Sequence, residues 1–271
     1  MDQEKKLEEL MTEALETAKM ALKEAERANS YFEIQKVWSA HAYCYRAQQQ
    51  RYELEHYWSR EHDDIMYAHD TMAFVGRDTV TEYYAKGNEI MNAGKLKLAA
   101  ELFPGKIEDE PENLGVGDLV VRLQATPYIE IAGDGMTAKG IWYVLGYNVE
   151  MDRQGEPDVC LLLSKECVDF VKEADGWKIW HFRDCGDFMG QVNDTFLKSI
   201  LYSMHPESGA DGEHKGGGRT VDGAFPAPNR VIYSFGEQGG YNVLKPAKFA
   251  PELPQPYDTW DESMSYAREA E

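Results

Sequence analysis

Two histidines and three aspartates stand within eleven residues in Arg60-Glu61-His62-Asp63-Asp64-Ile65-Met66-Tyr67-Ala68-His69-Asp70, side chains suited to moving protons in general acid and base catalysis. On a strand, Ile65, Tyr67 and His69 face one way while Asp64, Met66, Ala68 and Asp70 face the other. A facial two-histidine, one-carboxylate metal site from His62, Asp64 and His69 needs all three to converge. The alternation opposes that, so no metal is assigned. Two readings stay open: Asp64 or His69 acts as acid or base at a cavity mouth, or the stretch is a polar loop in which Asp63 or Asp64 caps backbone groups.

A further candidate is His181 in Trp177-Lys178-Ile179-Trp180-His181-Phe182-Arg183-Asp184. A period of two puts Trp177, Ile179, His181 and Arg183 on one face. Beside large apolar groups the imidazolium is disfavoured, which leaves either a neutral base near pH 7 or a buried structural histidine. Upstream, Ile141, Tyr143, Leu145, Tyr147 and Val149 share one strand face, and Trp142, Val144, Gly146 and Asn148 the other. If the second row points inward, Trp142 and Asn148 line a pocket and Gly146 leaves room for a ligand. If the first does, Tyr143 and Tyr147 bring phenolic hydroxyls that polarise a carbonyl.

Helical patterns come first in the chain. Leu7, Met11, Ala14, Ala18, Ala21, Ala25 and Ala28 recur every three or four residues between glutamates and lysines, the seam of an amphipathic helix with a heptad-like period. Its alanines bury little area, so such a helix is marginal alone. It packs on a neighbour, within the subunit or across an oligomer, or lies solvated on the domain surface. Residues 31–60 carry a second helical pattern, dense in aromatics and free of Gly and Pro.

Strand patterns follow. Two β-branched and aromatic runs meet at Gly133-Asp134-Gly135, a hairpin signal, and two more, 159–171 and 177–182, are split by the turn Glu173-Ala174-Asp175-Gly176. Helices before antiparallel strands predict an α+β domain, with a curved antiparallel sheet wrapped around N-terminal helices as a conical half-barrel enclosing a pocket. The expected organisation is an N-terminal helix at 1–29, the α+β barrel at 30–188 and a C-terminal extension at 189–271. That extension reads as a helical run at 192–202, a Gly-rich linker at 208–223, and a Pro- and aromatic-rich tail. The tail is expected to wrap its own domain or a neighbouring subunit, or to cover a pocket mouth.

Three motifs resemble, in their order and spacing, the SnoaL-like branch of the nuclear transport factor 2-like superfamily over residues 30–188. They are Thr126-Pro127-Tyr128-Ile129-Glu130-Ile131-Ala132-Gly133-Asp134 ahead of a second strand, Gly76-Arg77-Asp78 followed by Val80 and Tyr83-Tyr84, and Asp175-Gly176-Trp177-Lys178-Ile179. The resemblance implies a long first helix closing one side of a cavity. Trp38, His41 and Tyr45 then either look into that cavity or serve as ordinary helix-to-sheet packing. It also implies a last strand that lines the cavity, and so places His181 there, with a carboxylate near the first helices sharing the acid and base work. Where many members carry a histidine a few residues before the Thr-Pro step, this chain has Arg122-Leu123-Gln124. Pointing inward, Arg122 would be a permanently charged donor fork for a carboxylate or enolate, which argues against a two-histidine dehydratase mechanism. The superfamily scaffold hosts many activities as well as binding proteins.

The expectation is therefore an acid/base enzyme without organic cofactor, of dehydratase, isomerase or cyclase type, acting on a small hydrophobic cyclic or aromatic carbonyl compound. His181, Asp64 and His69 are its candidate catalytic residues, and Trp38, His41, Tyr45, Arg122, Trp142 and Tyr147 its candidate ligand contacts. The alternative is a non-catalytic ligand-binding or assembly protein on the same fold; a homo-oligomer, dimer or trimer, is expected either way. A net charge of −20 disfavours a nucleic-acid partner and an anionic membrane surface. No apolar run approaches the roughly 20 residues needed to span a bilayer, and the amino terminus lacks a signal peptide's apolar stretch, so a soluble cytoplasmic protein is expected. Cys44, Cys160, Cys167 and Cys185 form no CxxC pair, which speaks for free thiols rather than structural zinc.

Overall fold

The computed structural model describes residues 2–152, 154–192, 225–235 and 249–270. Helix α1, Asp2–Arg46, runs unbroken through position 29, so the two helical patterns form one helix. The run of Ala, Glu, Lys and Leu contains nothing to stop it, with neither Gly nor Pro in the segment. From Ser30 onward the helix acquires a buried stripe, Ile34, Trp38 and His41, at spacings that keep one face toward the sheet. A short α2, Gln50–His56, follows.

The sheet holds β1 (Met66–His69), β2 (Met72–Val75), β3 (Leu119–Ile131), β4 (Thr137–Met151), β5 (Pro157–Glu173), β6 (Gly176–Gln191) and β7 (Arg230–Val231), in the order β3-β4-β5-β6-β1-β2-β7. All neighbours are antiparallel except β1 and β6. Between β2 and β3 lie α3 (Arg77–Val80), a π-helical turn (Thr81–Gly87) and α4 (Asn88–Leu102). The expected hairpins are present: Gly135 has φ of 74° and Gly176 of 119°, left-handed values that glycine adopts without strain.

Trp38 of α1 packs against Trp142, Phe170 and Phe182 of β4, β5 and β6, so the sheet curves over the helix. Of the two rows on β4, the one holding Trp142 and Asn148 faces α1. Tyr147 therefore points to the outer face, a correction to its expected place in the pocket. On β6 the period-two reading also fails. Asp169 pairs with His181 but Phe170 pairs with Ile179, which leaves Trp180 as an extra residue. Such a bulge turns consecutive side chains to one side. Ile179 and Phe182 face the helices, while Trp180 and His181 stack on each other with ring centroids 4.5 Å apart, outside the cavity.

The described tail segments lie against the chain's own domain. β7 extends the sheet beside β2, and Ile232 is buried with Met66, Ala68 and Ala73. The N–H groups of Gly133 and Asp134 donate to the carbonyls of Tyr257 and Asp258 at 2.8 and 2.9 Å. A Cβ at Gly133 would meet Asp258 Oδ1 at 2.7 Å and its Cα at 3.0 Å, so glycine is required for this approach. The helical run expected beyond Val192 and the Gly-rich stretch at 208–223 lie outside the described residues. Gly133→Val should lift the 257–258 segment off the hairpin and cost about 1–3 kcal/mol, read by thermal denaturation together with faster proteolytic cleavage within residues 249–270.

Candidate active site

A cavity of about 270 Å³ opens between α1 and the inner face of the sheet, and its lining includes His41, Tyr45, Tyr67, His69, Arg122, Asn148, Glu166, Phe182 and Asp184. A larger hollow of about 650 Å³ on the outer face is bordered mainly by tail prolines and aromatics and, among the described residues, carries no histidine. Acid and base chemistry is therefore concentrated in the smaller cavity.

His41 is held from behind. Its Nδ1 lies 3.0 Å from Glu53 Oε1, which also accepts from Trp58 Nε1 at 3.0 Å, while the Tyr84 hydroxyl donates to Glu53 Oε2 at 2.8 Å. Trp38 stacks on the imidazole at 4.5 Å. These contacts aim Nε2 at Glu166 Oε1, 3.9 Å away. Burial alone would lower the His41 pKa, but the charge of Glu53 and its hydrogen bond, helped by Glu166, more than reverse this and raise it. Burial pushes the Glu166 carboxyl up to about 7, with Asp184 also raising it, against the opposing charges of His41 and Arg122 and a hydrogen bond from Gln124. Each group thus acts on the other, the Glu166 charge raising the His41 pKa and the His41 charge lowering that of Glu166.

Arg122 reaches the same cavity from β3. Its Nη1 donates to Val121 O at 2.9 Å and to Asn148 Oδ1 at 2.8 Å, and its guanidinium lies 5.2 Å from the Tyr45 ring centroid. Gly146 sits directly across from it. A Cβ there would meet Val121 O at 2.6 Å and the Arg122 side chain at 3.1 Å, so the space kept by this glycine is taken up by Arg122. Among the described residues Arg122 forms no ion pair, which leaves guanidinium donors for a ligand oxygen.

His69 closes another side. Its Nε2 is 3.0 Å from the Tyr67 hydroxyl and 3.1 Å from that of Tyr83, and Nδ1 is 4.0 Å from Asp184 Oδ2. Burial lowers its pKa against the raising charges of Asp184 and Asp70, which favours the neutral ring. The π-helical turn brings the consecutive Tyr83 and Tyr84 both to the site, Tyr83 toward His69 and Tyr84 toward Glu53; such turns recur at functional positions.

The expected site residues thus separate. His41, Tyr45, His69 and Arg122 meet in the cavity, whereas Trp38 and Trp142 fill the core beside it. His181 lies under the tail. Its Nδ1 is 2.9 Å from Asp169 Oδ2 and 3.2 Å from Ser265 Oγ, and Nε2 is 3.8 Å from Asp64 Oδ2. Asp169 also pairs with Lys139 at 2.6 Å and accepts from the Tyr266 N–H at 2.8 Å. His181 and Asp64 therefore do come together, but on the outer face, where His181 and Asp169 hold the tail through Ser265 and Tyr266. The His181 pKa is raised, since the hydrogen bond to Asp169 and the charges of Asp169 and Asp64 outweigh the lowering by burial. Asp64 is held down to about 2 by the neighbouring His181 and by the hydrogen bond it accepts from Trp180 Nε1 at 2.8 Å. Glu53 and Glu166, essential to the cavity, were not singled out in the sequence. Glu53 reads there as an ordinary helix carboxylate, and the signal available for Glu166 was its place on the inner row of a long strand.

A curved sheet closing over one long helix, with ionisable groups converging on its concave side, defines an α+β half-barrel with an internal polar cavity. Residues 26–183, more than half of the chain, match the SnoaL-like domain, and the chain belongs to that family. No curated protein matches it. Similar solved structures include LinA-type3, a hexachlorocyclohexane dehydrochlorinase from Novosphingobium barchaimii, at 13% identity, covering 63% of this chain and 95% of that one, with a TM-score of 0.41. A protein of unknown function from Mycobacterium tuberculosis has 13% identity, coverage of 60% and 75%, and a TM-score of 0.41. A Kribbella flavida protein has 10% identity, coverage of 60% and 94%, and a TM-score of 0.44. Among the described residues no helix is long and apolar enough to cross a membrane.

Glu53→Ala leaves three buried donors without their acceptor and should cost about 3–5 kcal/mol, measured by urea denaturation. In Glu53→Gln, which keeps the shape, the His41 pKa followed by NMR should fall. For His181 the folded pKa is raised, so its contribution is complete below the unfolded value of about 6.5 and is lost as pH rises through the folded value. The stability difference between the wild type and His181→Gln should shrink over that rise, whereas a constant difference across it would show that His181 holds the tail without its charge.

Proposed function

We propose that this protein is an acid/base enzyme of dehydratase, isomerase or cyclase type, working without an organic cofactor on a small hydrophobic cyclic or aromatic carbonyl compound in the α1 cavity. The supporting observation is the His41–Glu166 pair, oriented by buried Glu53 and facing Arg122 across a wall of aromatic rings. Family membership is consistent with this class of chemistry but names no reaction. The cavity volume falls just below the usual lower bound of about 300 Å³ for ligand pockets, which favours a small ring compound.

In this reading the Glu166 carboxylate, with His41 as its proton partner, removes a proton from the carbon next to the substrate carbonyl. The electron pair of the broken C–H bond passes to the carbonyl oxygen as an enolate, which Arg122 stabilises by hydrogen bonding and charge. Collapse of the enolate expels a β-hydroxyl that takes a proton from the His41 imidazolium in a dehydration, the Glu166 carboxylic acid then returning the abstracted proton to His41, or Glu166 delivers that proton to the remote carbon in an isomerisation. Neutral His69, held by Tyr67 and Tyr83, lines the cavity as a polar neighbour of the ligand.

The test is solvent deuterium exchange at the α-carbon of a panel of small cyclic ketones, followed by NMR. The wild type should catalyse exchange with a rate that rises through pH of about 7 as Glu166 ionises. Glu166→Gln should slow it by roughly 10²- to 10⁴-fold. Ligands that raise the melting temperature without any exchange in the wild type would instead support a binding protein without turnover.

A further inference from the structure

The first part of α1 is exposed throughout. Every side chain from Lys5 to Glu26 is exposed, including Leu7, Leu10, Met11, Leu15 and Leu22, each more than half exposed. The first polar anchor to the sheet is Arg27, which pairs with Glu130 at 3.2 Å. At 1.5 Å per residue, roughly 37 Å of helix precedes that anchor. A helix of this kind is marginal in water without a packing partner.

The stripe Leu7, Met11, Ala14, Ala18, Ala21, Ala25, Ala28 and Phe32 alternates spacings of four and three without a break, the pattern of a coiled-coil seam. The stripe that α1 turns to its own sheet is Ile34, Trp38, His41 and Tyr45. At about 100° per residue the two stripes lie roughly half a turn apart around the helix. The seam is therefore no continuation of the core-facing stripe, and whatever covers it comes from the side away from the domain. Phe32, on the seam but beside the domain, is 67% exposed.

We infer that this seam pairs with the same helix of a second copy in antiparallel orientation. Charge selects the direction. Residues 3–17 carry five glutamates and two lysines, a net −3, while 18–36 carry four basic and three acidic residues, a net +1. Parallel pairing sets the acidic halves side by side; antiparallel pairing sets each against a weakly basic one. Packing fixes the register: Ala18 faces Ala21, Ala14 faces Ala25, Met11 faces Ala28 and Leu7 faces Phe32, with Leu15 beside Leu22. Alanines meet at the centre of the seam, Met11 meets an alanine and Leu7 meets Phe32 toward the ends, and both domains lie outside it.

Sedimentation of the full chain should give twice the 30.9 kDa chain mass, and Met11→Glu with Leu15→Glu should reduce it to one chain. Because both residues are exposed, the melting temperature of the sheet domain should be unchanged in that variant. A mixture of Leu7→Cys and Phe32→Cys chains should form a cross-linked heterodimer on mild oxidation, and Leu7→Cys alone should not. The native cysteines are all buried. A single-chain mass for the wild type would overturn the inference and point to cover from the chain's own segments. A double mass that survives the glutamate substitutions would overturn it too, by placing the interface elsewhere, and self-cross-linking of Leu7→Cys would refute the antiparallel direction.

Discussion

Glu53 is the carboxylate on which the interior depends. It is 0% exposed and accepts hydrogen bonds from His41 on α1, from Trp58 after α2 and from Tyr84 in the π-helical turn. A buried carboxylate is strongly unfavourable unless donors replace its water, and here the donors come from three separate elements. One side chain therefore fixes where α1, α2 and the π-helical turn meet. The same contact decides which His41 nitrogen faces the cavity, so fold and candidate chemistry rest on one group.

The sheet separates two histidine and carboxylate systems. On its concave side His41, Glu166, His69 and Arg122 surround a cavity with room for a ligand. On its convex side His181, Asp169, Lys139 and Ser265 form a packed junction that the tail completes. The convex set is buried throughout, the concave one only at His41 and Glu166, and both contain perturbed groups. What distinguishes them is the space beside them: Arg122 and the His41–Glu166 pair border the cavity, whereas Asp169 is enclosed by protein donors.

Much of the architecture was legible from local patterns. Gly-Asp-Gly at the β3–β4 turn, Asp175-Gly176 at the β5–β6 turn, and the family motifs all report on short stretches whose conformation is set by nearby residues. Strand alternation also placed Tyr67 and His69 on one face correctly, because β1 is short and regular. The same rule misplaced His181, because one extra residue at Trp180 reverses the alternation and no local feature of Trp177-Lys178-Ile179-Trp180-His181 announces it. Tyr147 and Asn148 illustrate a different difficulty: their opposite faces were evident, but which face met the helix was not.

The sequence by itself determined the order of helices and strands, the turn positions and the family, since these depend on propensity and spacing along neighbouring residues. It also placed His41 and Tyr45 on one helical face and made Arg122 a candidate anchor. Only the tertiary structure decided that Glu53, Glu166 and Arg122 serve His41, and that His181 serves the tail. The physical reason is burial: a carboxylate becomes a proton partner or a structural acceptor according to what removes its water, and that depends on chain segments more than a hundred residues apart, as Glu53 is from Glu166.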